Sequence, residues 1–173
     1  DDVESARRFI DLIARNAARL QNLVDDMLEL SRIESREIAL ALESVELEGL
    51  AERVVAQHLA RAQRKRIGFG CELSGVPPVR ADRRALEHVL GNLIDNALKY
   101  CPEGSTVKIG AERVNGRVRI CVADTGPGIA PQHLERLFER FYRVDPGRSR
   151  ELGGTGLGLA IVKHPVEAMG GTV

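Results

Sequence analysis

The sequence lacks a surplus of either charge: Lys and Arg together number 25, Asp and Glu together 25, and the formal net charge is zero. A protein that grips nucleic acid through its phosphates carries a basic excess, so the balance argues against that class of partner. No apolar run approaches the roughly 18 residues that a membrane-spanning helix needs. The opening Asp1-Asp2-Val3-Glu4 is acidic and polar, unlike a secretory leader. Cysteine is scarce. Cys71, Cys101 and Cys121 are widely spaced, with no CxxC pair. They fit neither a disulfide framework nor a zinc site, and read as small buried hydrophobes in a reducing compartment. His58, His88, His133 and His164 show neither HxxxH nor HExxH spacing, so they read as ordinary surface or core residues. Internal repeats and low-complexity segments are absent. What remains is a globular balance, 43% apolar and 29% charged over 173 residues, with room for one ordinary domain plus an extra element.

Residues 5–35 carry one long helical pattern without Gly or Pro. Ile13, Ala17, Leu20, Val24 and Met27 form a seam in steps of four and three, widened by Leu23, Leu28 and Leu30. Such a stripe leaves much apolar surface in water unless another helix covers it. The plainer alternative is a helix lying on the domain that follows. After Ser35-Arg36-Glu37 the pattern changes to short extended pieces through Ile38, Leu40, Leu42, Val45 and Leu47. A helix is expected over 48–65, a strand over 67–73, a turn at Gly75-Val76-Pro77-Pro78 and a short strand over 79–81. Asp82 is a suitable N-cap for a helix over 83–100. Two alternating runs, 107–114 and 117–123, flank Asn115-Gly116, a strong short hairpin signal. Residues 124–155 are rich in Gly, Pro and Arg, with a short helix near 131–139. Thr155 is expected to open a last helix to about 168, ended by Gly170-Gly171. This order indicates an α+β architecture, helices on one face of a mixed, mostly antiparallel sheet, preceded by one long helix.

Four segments can carry chemistry. Gly153-Gly154-Thr155-Gly156-Leu157-Gly158-Leu159 lets a ligand approach the backbone and runs into a helix whose free N–H groups and dipole suit phosphate. It fits neither the dinucleotide GxGxxG, since Leu159 stands where Gly is needed, nor a P-loop, which needs Gly-Lys-Ser/Thr. Asp124-Thr125-Gly126-Pro127-Gly128-Ile129 follows an apolar strand. A carboxylate fixed at that strand's end accepts from the exocyclic amine of adenine. Guanine would present a carbonyl there, at a cost of roughly 1–3 kcal/mol. In 92–100, Asn92, Asn96 and Lys99 share one helix face. The Asn96 amide can help hold a Mg²⁺ ligated mainly by phosphates and water, and Lys99 can neutralise phosphate charge. Finally, 137–143 gathers Phe138, Phe141 and Tyr142 in a chain that is only 3% aromatic. Inside a polar loop such residues suggest a lid that docks on the core, with Arg143, Arg148 and Arg150 within reach of a terminal phosphate. Taken singly, each segment also reads plainly, as a flexible glycine cluster, an Asp turn, a polar helix face or a packed loop.

Four such segments in this order resemble the catalytic ATP-binding domain of bacterial sensor histidine kinases. The stretch 92–100 is similar to that family's N box, 124–129 to its G1 box, 137–143 to its F box and 153–159 to its G2 box. The leading helix, through Leu30-Ser31-Arg32-Ile33-Glu34-Ser35, resembles the second helix of the dimerisation and phosphotransfer bundle. The resemblance implies a Bergerat-type two-layer α/β sandwich over 47–173, a linker over 37–46 and a bundle helix over 1–36. It implies a pocket for ATP with Mg²⁺: Asp124 on the adenine amine, Gly126, Gly128 and Ile129 lining the base, and Asn96 on the metal. Asn92, Lys99, Tyr100 and Arg143 fall to the phosphates or the lid, and Gly154, Thr155, Gly156, Leu157 and Gly158 wrap the phosphates. The implied partners are ATP or ADP, a phosphotransfer helix carrying the acceptor histidine, a second copy joined through the N-terminal helix, and a response regulator. The implied place is the cytoplasm, with the parent protein anchored in the bacterial inner membrane.

The sequence departs from the family in three places. No His-Glu/Asp-Leu-Arg segment occurs, so no catalytic residue is assigned and the chain is not expected to phosphorylate itself. The chain stops at Gly171-Thr172-Val173, where the family continues into a further strand. Pro165 falls within the last helix, where it can cost ~3 kcal/mol unless the helix kinks. Two other readings stand beside the kinase. An ATP-hydrolysing clamp of the gyrase, Hsp90 and MutL type has a Glu one turn before the metal-binding Asn, where Asn92 stands here. A nucleotide-dependent dimerisation or scaffold module is the other.

Overall fold

The computed structural model describes residues 2–34, 40–145, 147 and 154–173. The long helix α1 (Asp2–Glu34) comes first. Then follow β1 (Leu42–Val45), α2 (Leu47–Arg64), β2 (Gly68–Glu72), β3 (Val79–Asp82) and α3 (Arg83–Tyr100). The hairpin β4 (Thr106–Val114) and β5 (Arg117–Asp124), the short α4 (Pro131–Leu134) and α5 (Gly158–Ala168) complete the chain. The expected extended piece at Ile38, the residues Arg148 and Arg150, and Gly153 lie outside the described residues.

The strands form two sheets. β1 pairs antiparallel with β3, and the other sheet has the order β2-β4-β5. β4 and β5 are antiparallel, and β2 runs parallel to β4, with Phe69 opposite Val107. The parallel pair becomes possible because α3 carries the chain back to the starting end of β4. Helices α2 and α3 lie on one face. Leu50 and Val54 of α2, Leu90, Ile94 and Leu98 of α3, and Val107 and Ile109 of β4 close the core between the layers. Each burial of that kind contributes about 1.5–3 kcal/mol.

Local signals place the elements. Asp82 caps α3: its Oδ1 accepts from the Ala85 N–H at 2.9 Å, and its Oδ2 accepts from the Ala41 N–H at 2.8 Å. One carboxylate thus starts a helix and ties down the entry to β1. Asn115 and Gly116 both take positive φ, 52° and 79°, the turn whose twist matches the hairpin strands. At the end of α5, the Gly170 N–H reaches Glu167 O and the Gly171 N–H reaches Val166 O, a Schellman closure.

Several expectations need correction. α5 opens at Gly158, not Thr155, because Gly156 takes φ +78° and interrupts any helix that would run through it. The helix near 131–139 is regular only over Pro131–Leu134 and continues as turns. The expected continuation of α5 through Pro165 is present, and the proline is buried. Of the cysteines only Cys101 is buried, while Cys71 and Cys121 are exposed. Cys121 lies on the face of β5 opposite Val118, Ile120 and Val122, the face without helices, and Cys71 lies on the edge strand β2.

The joint between α2 and α3 is polar at one point. The His58 Nδ1 sits 2.7 Å from the Val54 carbonyl and its Nε2 sits 3.4 Å from Asp95 Oδ1. Arg61 bonds the same carboxylate at 2.6 Å. Both ring nitrogens face acceptors, and only the doubly protonated imidazole donates to both. The hydrogen bond to Asp95 accordingly raises the His58 pKa above its ordinary 6.5, against the opposing effect of burial. For Asp95, burial works to raise the carboxyl pKa, but His58 and Arg61 outweigh it and hold it below the ordinary value. The stability from His58 is therefore complete below its unfolded pKa and lost as pH rises through the raised folded value. That from Asp95 is lost as pH falls through its lowered value. The melting temperature should decline as pH rises from below the ordinary histidine value of about 6.5 through the raised folded one, and His58→Gln should flatten that decline. An equally steep decline in the variant would contradict the assignment.

Candidate functional site

Three segments meet around the C-terminal half of α3. Alternation along β5 puts Asp124 on the same face as Val118, Ile120 and Val122, the face turned to the helices. It is the last residue of β5. The ladder continues one step beyond it: the Thr125 N–H donates to Thr106 O at 3.1 Å, and the Thr106 N–H donates to Thr125 Oγ1 at 2.9 Å. This bracket holds Asp124 at a fixed place on the sheet's end.

Asp124 is exposed but anchored by one oxygen. Its Oδ1 accepts from the Gly126 N–H at 2.8 Å and from the Cys101 thiol at 3.2 Å. Among the described residues nothing bonds to Oδ2. Gly126 is required here for space, since a Cβ would stand 2.6 Å from Asp124 Oδ1 and 2.9 Å from Cys101 Sγ. Gly128 is required for its backbone, at φ +71°, with open space where a side chain would go. Ile129 beyond it is 45% exposed, an apolar side chain facing out of the same loop.

The other half of the site lies one to two turns back along α3. A Cβ on Gly158 would stand 3.2 Å from Asn92 Oδ1 and 3.9 Å from Asn96 Nδ2. The polar face of α3 thus meets the N-terminal end of α5, where unbonded N–H groups and the positive dipole end are concentrated. Asn92 is held by its Nδ2 donating to the His88 carbonyl at 3.1 Å. Leu157, wholly buried with Ile161, anchors the start of α5, and the Thr155 hydroxyl accepts from the Leu157 N–H at 3.2 Å. Gly154 is buried and Thr155 half-buried. From Asn92 to Cys101 the helix advances about 13 Å, so the carboxylate and the phosphate-type face stand at two ends of one elongated site.

The lid segment is joined to this site by its backbone. The Phe141 N–H donates to Gly156 O at 2.9 Å. A Cβ on Gly156 would lie 2.9 Å from both the Cα and the carbonyl carbon of Phe141. The expected aromatic docking is only partly present: Phe138 is half-buried, whereas Phe141, at φ 62°, leaves its ring 57% exposed. This segment is instead tied together from within. Tyr142 OH lies 2.6 Å from His133 Nδ1, and the Arg136 guanidinium lies 4.3 Å over the Tyr142 ring. Arg143 is half-buried just beyond. Lys99 and Tyr100 are half-buried neighbours at the end of α3, with the ammonium 6.0 Å from the ring centre.

The donor set can be tested against a metal and a nucleotide. Among the described residues no cluster of three or more His, Cys, Asp or Glu side chains can hold a metal ion. One neutral amide, Asn96, therefore suits only an ion that brings phosphate and water ligands with it, as Mg²⁺ does. A cavity of about 490 Å³ opens elsewhere, lined by Pro77, Arg80, Arg113, Arg117 and Met169, and none of the four segments reaches it. Sequence reasoning missed Cys101, which follows the 92–100 segment and reaches Asp124 across 23 residues, and it missed the Thr106–Thr125 bracket. Both depend on strand and helix ends that only the fold brings together.

Comparison with known proteins decides the family. The model of the histidine kinase-, DNA gyrase B- and HSP90-like ATPases matches residues 81–173, more than half of the chain. The chain belongs to this family. Its match contains α3, Asp124, the lid and α5. Among curated relatives, the sensor-like histidine kinase SenX3 of Mycobacterium tuberculosis is 38% identical over 173 residues, covering 100% of this chain and 42% of SenX3. The sensor histidine kinase WalK of Bacillus subtilis is 34% identical over 179 residues, covering 100% of this chain and 29% of WalK. The chain spans less than half the length of such relatives. Among solved structures, full-length ShkA in complex with AMPPNP aligns with a TM-score of 0.80 at 37% identity, covering 95% of this chain and 34% of ShkA. The histidine kinase ThkA in complex with the response regulator protein TrrA aligns at 0.77 and 28% identity, covering 99% of this chain and 47% of ThkA. The family's α/β sandwich with a preceding helix is therefore the fold of this chain.

Proposed function

We propose that this chain is the ATP-binding catalytic part of a sensor histidine kinase, which transfers the γ-phosphoryl group of ATP to a histidine outside these 173 residues. The observation that carries the reading is the meeting of Asn92 and Asn96 with the N-terminal end of α5, on the same helix that ends beside Asp124. Asp124 Oδ2 accepts from the adenine amine. Gly126, Gly128 and Ile129 flank the base. Gly154 to Gly158 and the first turn of α5 receive the phosphates, with Lys99, Tyr100 and Arg143 at their margin. Asn96 holds Mg²⁺, which when bound offsets phosphate charge. Transfer then needs positioning and charge neutralisation more than a protein nucleophile. The bond from the γ-phosphorus to its bridging oxygen breaks, ADP leaves with the electron pair, and a bond forms to a neutral imidazole nitrogen.

Asn92 favours transfer over hydrolysis. Its amide cannot take a proton from water at neutral pH, and it is already committed to the His88 carbonyl. The seam of α1 supports the partner reading: Ile13, Leu20, Val24 and Met27 are each more than half exposed, an apolar stripe suited to a second helix bearing the acceptor and to a second copy. A response regulator would receive the phosphoryl group. Among the described residues no helix is long and apolar enough to cross a membrane, and the reading places this part beside cytoplasmic ATP, with any anchor in the parent protein. Incubation with γ-labelled ATP tests the assignment. The expected result is nucleotide binding with no phosphohistidine on the chain and phosphate release near background. Label retained on one of its four histidines would contradict the placement of the acceptor, and steady phosphate release would favour the hydrolytic clamp.

A further inference from the structure

We propose that Cys101 is a positioning residue for base recognition: its thiol fixes one oxygen of Asp124 and so turns the other toward the adenine amine. The inference rests on the reading of Asp124 above and deepens it. Cys101 is the C-cap of α3, its own N–H bonded to Ala97 O at 2.9 Å, so the helix end sets where the sulfur stands. The residue is 4% exposed, while Asp124 is exposed; the contact is a buried donor holding a surface carboxylate from beneath. Sγ and the Gly126 N–H converge on the same oxygen, at 3.2 Å and 2.8 Å. The Gly126 Cα leaves no slack above them, because any added Cβ would meet both Sγ and Oδ1. The buried Ser105 hydroxyl and the Lys65 ammonium are further polar neighbours of the thiol.

The sulfur stays a donor. Burial, the hydrogen bond to Asp124 and the charge of that carboxylate push the thiol pKa up to about 11, so S–H persists at neutral pH. A thiol is a weak donor, but two donors on Oδ1 and, among the described residues, none on Oδ2 define which lone pairs meet the ligand. Without the S–H the carboxylate is held by Gly126 alone and can rotate, presenting either oxygen at poorer geometry. Hypoxanthine, which carries a carbonyl in place of the adenine amine, gains nothing from that orientation. Discrimination between the two bases therefore reads the positioning directly, and general damage to the pocket does not.

The test is calorimetric titration of the whole chain with Mg·ATP and with Mg·ITP, for the native protein, Cys101→Ala, Cys101→Val, Cys101→Ser and Asp124→Asn. Cys101→Ala is expected to weaken ATP about five- to tenfold and to leave ITP within about twofold. Cys101→Val, which fills the space without a donor, should behave alike if the smaller side chain compromises folding. Cys101→Ser should restore both the affinity and the ATP-over-ITP ratio. Parallel loss for both nucleotides, or no rescue by serine, would overturn the proposal and leave the thiol a packing group. Normal ATP binding by Cys101→Ala alongside loss in Asp124→Asn would overturn it while sparing the adenine reading. Unchanged ATP binding in Asp124→Asn would remove that reading as well.

Discussion

Asp124→Asn is expected to weaken ATP binding by about 100-fold, roughly 2.7 kcal/mol, while shifting the melting temperature by only a few degrees. The substitution keeps the shape of the side chain. It can keep an acceptor for the Gly126 N–H and the Cys101 thiol. What it loses is the charge, and with the amide oxygen on those two donors its NH₂ group faces the adenine amine, donor against donor. An unpaired donor at a desolvated contact costs about 1–3 kcal/mol, more where a charge-assisted bond was present. The side chain is exposed before ligand arrives, so little folding energy is at stake. Calorimetric titration beside a thermal melt separates the two effects. An affinity within threefold of the native value would mean that the carboxylate does not read the base.

The second large effect is expected at Gly156→Ala. Two costs coincide there. The backbone stands at φ +78°, where an L-residue loses about 1–2 kcal/mol. The new Cβ would also lie 2.9 Å from the Phe141 Cα and carbonyl carbon, and these are backbone atoms that cannot swing aside. Relief requires the lid to move off and the bond from the Phe141 N–H to Gly156 O to break, a further loss of about 1 kcal/mol. Gly128→Ala isolates the first cost, since it shares the positive φ but has nothing within 4 Å of its added carbon. Trypsin cleavage after Arg140 and Arg143 measures the difference. Gly156→Ala should be cut at least tenfold faster than the native chain and Gly128→Ala near the native rate. Equal protection of both variants would show that the Gly156–Phe141 contact does not hold the lid.

These two sites differ in how far the sequence announces them. Asp124 is legible because it ends an alternating strand and precedes a Gly-Pro-Gly turn, both local features. The bounds of α3 are legible for the same reason, from Asp82 as cap to the apolar stripe ending at Leu98, and so is the Asn115-Gly116 hairpin. Phe141 against Gly156 is not legible, since a backbone hydrogen bond leaves no trace in side-chain pattern. Gly156 also explains why the helix expected from Thr155 begins later: a glycine suited to ligand approach does not announce whether it will take a positive φ, as this one does. Pro165 carries a propensity cost that counts the missing N–H and not the burial of the residue, which only the fold shows. The parallel pairing of β2 with β4, the edge position of Cys71 and the placing of Cys121 on the face without helices are all long-range outcomes of how the chain is threaded. The contact between Cys101 and Asp124 joins both kinds: each residue sits in a legible element, and their meeting belongs to the fold.

The most direct test is the position of a non-hydrolysable ATP analogue bound to this chain with Mg²⁺, determined by crystallography. The account predicts the adenine amine at hydrogen-bond distance from Asp124 Oδ2, the metal on the Asn96 amide oxygen and the phosphates at the first turn of α5. A nucleotide seated in the cavity beside Arg80 and Arg117, or bound with its base turned away from Asp124, would contradict it.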